Sequence, residues 1–462
     1  MSLVPNNDTI CALATPPGVS AIAMIRLSGP EAFSIADKVF VAKDGGALAE
    51  GQPNTIHYGN IIENDTAIDE VMASIFRNPH SYTGEDTIEI SCHGSPYIQD
   101  QLLQVLIRAG ACMAKPGEFT QRAFLNGKMD LSRAEAVADL IESNSASSHR
   151  LAMQHIKGGF AKDIQALREQ LVNFASLVEL ELDFSEEDVE FANRDELTAL
   201  LNKISTSLEA LADSFSIGNV IRNGVPVTIA GAPNVGKSTL MNALLNEDRA
   251  IVSEIPGTTR DYLEDNLIID GMLFRFADTA GIREANDSIE QQGISKTMEK
   301  MGQSQLILYL FDAGQEDKAS VLRALQDVNK EGNTTVIAVL NKMDLNPGDE
   351  VRARFDGLEN AVFISAKNSE NIDGLKQVLV GLAAYKDLDS NQTVVTNARH
   401  YEALSKSLSA VQEVAASIEE QIGTELLAQH IKAALAHLGE ITGEVTNDEI
   451  LGNIFSRFCI GK

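Results

Sequence analysis

The chain is poor in cysteine, in positive charge and in long apolar runs, and each shortage argues against a class of protein. Cys11, Cys92, Cys112 and Cys459 are its four cysteines in 462 residues, with no close pair and no Cys-x-x-Cys spacing. That pattern fits neither a disulfide framework nor a zinc site. Lys and Arg number 37 against 66 Asp and Glu, giving a formal net charge of −29. Broad binding of RNA or DNA relies on cations that neutralise phosphates, so a nucleic-acid partner would need a local basic patch or a second protein to carry it. No apolar run approaches the roughly 20 residues of a membrane span. The opening MSLVPNNDTI has neither the basic nor the apolar region of a signal peptide. A soluble, reducing, cytoplasmic setting is the expectation.

What is present is enough to build real cores. Hydrophobic residues make up 44% of the chain, and its length suits two to four domains of about 100–200 residues each. Three textures follow one another. Residues 1–125 mix short β-rich runs (SAIAMIRLSG, TIHYGNII, EVMASIFR, DTIEISCHG) with Gly and Pro, plus a helix-like stretch near 97–109, and read as an α+β domain. Residues 126–220 carry apolar residues at helical spacing, as in Leu167, Leu171, Phe174, Leu177, Val178 and Leu182. The acidic stretch Glu179–Glu190 reads as a solvated helix end or loop. Residues 221–386 alternate strand-like runs (VPVTIA, LFRFAD, LILYLFD, TVIAVL, AVFIS) with helical segments, the pattern of a parallel sheet covered by helices. Helical texture returns over 387–462. The simplest architecture is a discontinuous helical-bundle domain with an α/β domain inserted into it.

Within that α/β segment, VPVTIA runs into GAPNVGKST, which matches G-x-x-x-x-G-K-[ST] at Gly231, Gly236, Lys237 and Ser238. Glycines let backbone N–H groups converge on phosphate oxygens, and the helix that follows adds its N-terminal donors. Asn234, Val235, Gly236, Lys237, Ser238 and Thr239 would line this loop. Lys237 would reach the β- and γ-phosphates, and Ser238 would bind Mg²⁺. The loop SEIPGTTRD contributes Ser253, Ile255, Gly257, Thr258 and Thr259, with Thr259 a second Mg²⁺ ligand. DTAG follows a strand as Asp278, Thr279, Ala280 and Gly281, with Asp278 toward the metal shell and Gly281 beside the γ-phosphate. NKMD (Asn341, Lys342, Asp344) and SAK (Ser365, Ala366, Lys367) close the series on two more strand ends. Asp344 selects the base, because a carboxylate accepts from guanine N1–H and N2–H₂, donors that adenine lacks there. Five elements in order on strand ends predict a GTP-hydrolysing P-loop domain of the Ras-like kind.

Hydrolysis must depart from Ras, where a Gln directly after DTAG orients the water. Here that residue is Ile282, which has no polar chemistry. Arg260 and Arg283 lie nearby, but neither is identifiable as an arginine finger. Glu290, further along the same segment, is a candidate polar group, although pattern alone favours reading it as a surface acid.

The segments DTICALATPPG, SYTGEDTIEISCHG, KPGEFTQRAFLNGKMDLSRAEAVADLI and the closing GEITGEVTNDEILGNIFSRFCIGK resemble the MnmE (TrmE) family over essentially the full length. This family comprises bacterial and organellar tRNA-modification GTPases. The resemblance implies a folate-binding-like N-terminal domain that also dimerises, a helical domain and an inserted G domain. It implies a flavoprotein partner, MnmG, and a homodimer that joins it in a heterotetramer. The implied activity is addition of an aminomethyl-type group to C5 of the wobble uridine, with a tetrahydrofolate derivative as donor.

Carried over by position, folate would be held by Arg26, Glu89, Lys128 and Lys462. A folate tail has carboxylates for cations, and its pterin offers donors to a carboxylate. Potassium would be held by Asn234, Ser253, Ile255 and Thr258, although Ser253 and Pro256 depart from the family pattern. Glu290 falls at the family's water-organising glutamate. Cys459 could be a nucleophile toward C6 of a pyrimidine, but reads rather as a small structural or substrate-proximal side chain. The G motifs alone fit a regulatory or ribosome-assembly GTPase as well.

Overall fold

The computed structural model describes residues 8–183, 194–247, 264–277, 304–328, 334–345, 348–383, 393–420 and 424–462. The chain packs into two compact units. One comprises Met1–Ile141, Gln154–Ser205 and Lys406–Lys462, and the other Glu142–Met153 and Thr206–Ser405.

The first unit is built on a seven-stranded sheet in the order β3-β4-β5-β6-β2-β1-β7. Its strands are β1 (Ile10–Leu13), β2 (Ile22–Ser28), β3 (Phe40–Ala42), β4 (Ile56–Glu63), β5 (Thr66–Phe76), β6 (Thr87–His93) and β7 (Cys112–Met113). Pairing is antiparallel throughout except between β1 and β7. Side chains alternate across the pleat. Ile88 and Ile90 therefore enter the core with Ile25 and Leu27, while Glu89 and its register partner Arg26 take the opposite face. Helices α1 (Ala32–Val39) and α2 (Pro96–Ala109) cover the apolar face through Phe33, Ile35, Leu102 and Leu106. Helix α1 and the short α3 (Glu118–Leu125) come in addition to the single helix expected in this segment. Both are only eight residues long, too short for periodicity to separate them from the surrounding strands.

Helices α4 (Leu131–Glu142), α5 (Ala146–Ile156), α6 (Gly159–Asp183) and α7 (Arg194–Asn223) follow. The expected apolar stripe is buried at Leu167, Leu171, Phe174 and Val178 of α6. Helix α6 reaches as far as Asp183, and the remainder of the acidic stretch lies outside the described residues.

The second unit holds a six-stranded sheet in the order β13-β12-β11-β8-β10-β9. Its strands are β8 (Val225–Gly231), β9 (Glu264–Ile269), β10 (Met272–Ala277), β11 (Leu306–Asp312), β12 (Thr335–Asn341) and β13 (Ala361–Phe363). Five are parallel, and β8, β11 and β12 are apolar along most of their length because both faces are covered. The sheet is parallel as expected from sequence except at one edge, where β9 runs antiparallel to β10. Asp270 and Gly271, at φ 50° and 74°, make the two-residue turn between them. Helices α8 (Lys237–Glu247), α9 (Lys318–Val328), α10 (Asp349–Arg354) and α11 (Ile372–Leu382) belong to this sheet's segment. Helices α12 (Ala398–Glu419), α13 (Thr424–Thr442) and α14 (Asp448–Phe455) complete the chain. Helix α13 packs along α6.

Candidate nucleotide site and the N-terminal sheet face

The phosphate loop is made where β8 ends against β11. Gly231 has φ 140°, and a Cβ on it would collide with the Leu310 carbonyl. Asn234 at φ 62° and Gly236 at φ 103° turn the chain back toward α8. A Cβ on Gly236 would strike the Asn341 amide, so glycine is required there by close approach as well as by backbone angle. Helix α8 starts at Lys237, with Leu240 N–H donating to the Gly236 carbonyl at 2.9 Å. Its first turn therefore presents its early N–H groups at the loop, an anion-binding arrangement. Ser238 and Thr239 are exposed on that turn, and Val235 is buried beneath the loop. Lys237 Nζ donates to the carbonyls of Gly231 and Ala232, both at 2.8 Å. Burial lowers the Lys237 pKa from the ordinary lysine range. A phosphate placed here would supply the anion that this half-buried cation calls for.

Asn341 ties the NKMD and SAK loops to the phosphate loop. Its Nδ2 donates to the Val235 carbonyl at 2.8 Å, and its Oδ1 accepts from Ala366 N–H at 3.0 Å. One amide thus fixes the P-loop and the SAK loop together, and it is 3% exposed. Ser365 is fully buried; its hydroxyl donates to Asp344 Oδ1 at 2.8 Å and accepts from Asn368 N–H at 3.3 Å. Met343 N–H reaches the Ile364 carbonyl at 3.2 Å, joining the two loops through backbone as well. Lys367 is exposed beside them. The structure therefore brings together Asn234 to Thr239, Asn341, Lys342, Asp344 and Ser365 to Lys367.

Sequence reasoning missed Asp312, which ends β11 and pairs with Lys342 Nζ at 2.9 Å. No local signal marked it, because Asp312 ends β11 while NKMD begins at the end of β12. Ser253, Ile255, Gly257, Thr258, Thr259, Asp278, Thr279, Ala280, Gly281, Ile282 and Glu290 lie outside the described residues, with Arg260 and Arg283.

On the face of the N-terminal sheet opposite α1 and α2, Arg26 Nη2 and Glu89 Oε1 form an ion pair at 2.8 Å, with side chains 11% and 19% exposed. The guanidinium lies over the rings of Tyr82 and Phe119, at 5.2 and 5.5 Å from their centroids. Its Nη1 donates to the Gly461 carbonyl at 3.4 Å. The C-terminal tail is therefore seated at this pair. Gly461 is at φ 96°, and a Cβ there would meet the Leu13 carbonyl, while Gly117 N–H donates to the Cys459 carbonyl at 3.3 Å. Lys462 follows directly, its N–H donating to the same carbonyl at 3.4 Å. Lys128 Nζ donates to the Pro79 carbonyl at 2.8 Å, and its stem lies against Gly84 of the loop that carries Tyr82.

That loop rests on a buried polar network the sequence did not reveal. Ser28 Oγ bonds Thr83 Oγ1 at 2.7 Å and donates to Glu85 Oε2 at 2.8 Å. Arg122 Nη1 bonds Glu85 at 3.2 Å and its Nη2 bonds Glu118 at 3.0 Å. Among the thiols, burial pushes Cys11 up to about 12 and Cys92 up to about 11. Cys459 is an exposed free thiol.

Family models described as "GTP-binding protein TrmE N-terminus" and "MnmE helical domain" match residues 9–128 and 131–459. The chain is 54% identical to a tRNA modification GTPase MnmE of Flavobacterium johnsoniae, covering 99% of this chain and 100% of that protein. It is 51% identical to a protein of the same name from Cytophaga hutchinsonii, covering 99% and 98% respectively. Among solved structures it is similar to a variant of Aquifex aeolicus Era bound to GDP and aluminium fluoride. There the identity is 27%, the coverage 40% of this chain and 66% of that one, and the TM-score 0.27.

Proposed function

This chain belongs to the MnmE (TrmE) family and is a P-loop GTPase, and from that premise we propose that its GTP cycle serves the modification of tRNA. With the FAD-containing partner MnmG, it adds a carboxymethylaminomethyl-type group to C5 of the wobble uridine of certain tRNAs. The one-carbon donor is 5-formyl- or methylene-tetrahydrofolate. The working form is a homodimer in the cytoplasm, assembled with MnmG into a heterotetramer. Among the described residues no helix is long and apolar enough to cross a membrane. The segments 1–125, 126–220, 221–386 and 387–462 divide these tasks, and the two family models meet close to the first boundary.

The observation that carries the folate reading is the seat of the C-terminal tail at the Arg26–Glu89 pair. The pair neutralises itself, which suits the pterin end: Glu89 accepts ring N–H groups while Arg26 holds its carboxylate. Lys128 and Lys462 then meet the tail carboxylates of the ligand, and Cys459 is the accessible thiol beside them. The purified full-length protein should bind 5-formyltetrahydrofolate, and titration with that compound tests it. No detectable binding, together with normal wobble-uridine modification in a strain lacking the gene, eliminates the proposal in favour of a regulatory or ribosome-assembly role.

In the G domain, Ser238 and Thr259 would hold Mg²⁺, and Asn234 with Ser253, Ile255 and Thr258 would hold K⁺ where G domains pair. Bound there, the two cations offset negative charge that develops on the phosphates. Lys237 binds the phosphates, and Glu290 orients the attacking water in place of the glutamine that Ile282 replaces. Glu290→Ala should keep GTP binding and lose at least about 100-fold in single-turnover hydrolysis, the usual scale for a positioned general base. Hydrolysis should also run faster in KCl than in NaCl at equal ionic strength. Unchanged turnover in the variant rejects the role of Glu290, and equal rates in the two salts reject the K⁺ site.

A further inference from the structure

We propose that Asp312 is a positioning residue of the guanine site, acting through Lys342. Lys342 stands between Asn341 and Asp344, the two side chains that frame the base-reading loop, and its backbone is left-handed at φ 67°. A lysine has a long side chain whose freedom is lost whenever a ligand orders it. Here that ordering is done in advance. Nζ of Lys342 meets Asp312 Oδ2 at 2.9 Å, drawing the stem from the end of β12 across to the end of β11.

The carboxylate is itself held. Its Oδ1 accepts Gly314 N–H at 3.1 Å, and Asp312 is 8% exposed. Backbone geometry reinforces the same corner: Asp312 is the register partner of Asn341, and Ala313 N–H donates to the Asn341 carbonyl at 3.0 Å. Two residues earlier, Leu310 pairs with Gly231 at the start of the phosphate loop. Asp312 therefore stands where the base-reading strand and the phosphate-loop strand are both referenced to β11. Its effect belongs to nucleotide affinity, because the groups it fixes adjoin the base and not the bond that breaks.

The test is a double-variant cycle on the full-length protein, read by titration with fluorescent GDP and GTP. Asp312→Ala should weaken both nucleotides by about tenfold, a usual size of coupling between groups in contact. KM should rise with kcat within about twofold, since uniform binding is what is lost. Asp312→Asn, whose amide oxygen still accepts from the ammonium, should recover most of the affinity. Asp312→Ala in the Lys342→Met background should cost nothing further. Wild-type affinity in Asp312→Ala, or losses that multiply in the double variant, would overturn the proposal. If Asp312→Ala fails to fold, the same cycle with Asp312→Asn decides: its smaller loss must vanish in the Lys342→Met background, and a loss that persists there overturns it.

Discussion

At the guanine site the Ser365 hydroxyl faces two ways, accepting from Asn368 N–H and donating to Asp344 Oδ1. The carboxylate is thereby oriented before any base arrives, and the discrimination proposed for it rests on acceptors meeting donors. In Asp344→Asn one acceptor becomes an NH₂ group that confronts guanine N–H groups. The preference for GTP over ATP should fall by about 100-fold, the scale of mispaired charge-assisted hydrogen bonds. Competition titration of the two nucleotides measures it, and an undiminished preference contradicts the assignment. Residues of this kind were legible in the sequence because each motif is local: GKST, NKMD and SAK use neighbours a few positions apart. Asp312 was not. Its partner Lys342 lies 30 positions on, and only the pairing of β11 with β12 brings them together. Ser28, Glu85 and Arg122 are hidden for the same reason, since their meeting depends on antiparallel register in a different sheet.

Among the elements, the β9–β10 hairpin shows how a strand can escape a reading by alternation. Its turn is Asp-Gly, a strong hairpin signal, but β9 opens with the polar residues Glu264, Asp265 and Asn266. Only the second half, Leu267 to Ile269, looks like a buried strand, and a parallel pattern dominates every neighbour. The turn is held from outside as well. Ser147 donates to the Gly271 carbonyl through its N–H at 3.2 Å and its hydroxyl at 3.1 Å. A Cβ on Gly271 would lie 3.0 Å from Ala146 Cβ, and the residue is at φ 74°. Gly271→Ala therefore combines backbone strain with a close contact and should cost roughly 1–2 kcal/mol. Urea unfolding monitored by circular dichroism would register this as a lower midpoint. Asp270→Asn, which also tolerates the left-handed region, should leave the midpoint within error, and an equal loss in both variants would reject the strain explanation.

Over the whole molecule, the nucleotide loops and the proposed folate seat belong to different compact units: the loops to the unit containing Thr206–Ser405, and the Arg26–Glu89 pair with the tail to the other. The sequence showed helical texture on both sides of an α/β segment. The units divide the helices differently, with Glu142–Met153 and the helical residues from Thr206 on joining the α/β sheet's unit. Only the family resemblance set Lys462 beside Arg26. Residue pattern alone could not convey that residues 459–462 come to rest on β1 and β2, more than 400 positions away, because nothing local in Cys-Ile-Gly-Lys encodes that seat. The seat is exacting at one point. Gly461 combines φ 96° with an approach to the Leu13 carbonyl that leaves no room for a methyl group. Gly461→Ala must displace the tail, and with it the carbonyl that Arg26 Nη1 donates to. Binding of 5-formyltetrahydrofolate should weaken by at least about tenfold, as expected when a strained substitution costs 1–3 kcal/mol at the site. GDP affinity, read on the same sample, should stay within about twofold, because additivity holds for groups that share no partners. Loss of GDP binding in parallel would show that the tail supports the fold as a whole. Unchanged folate binding would remove the tail from the proposed folate site altogether.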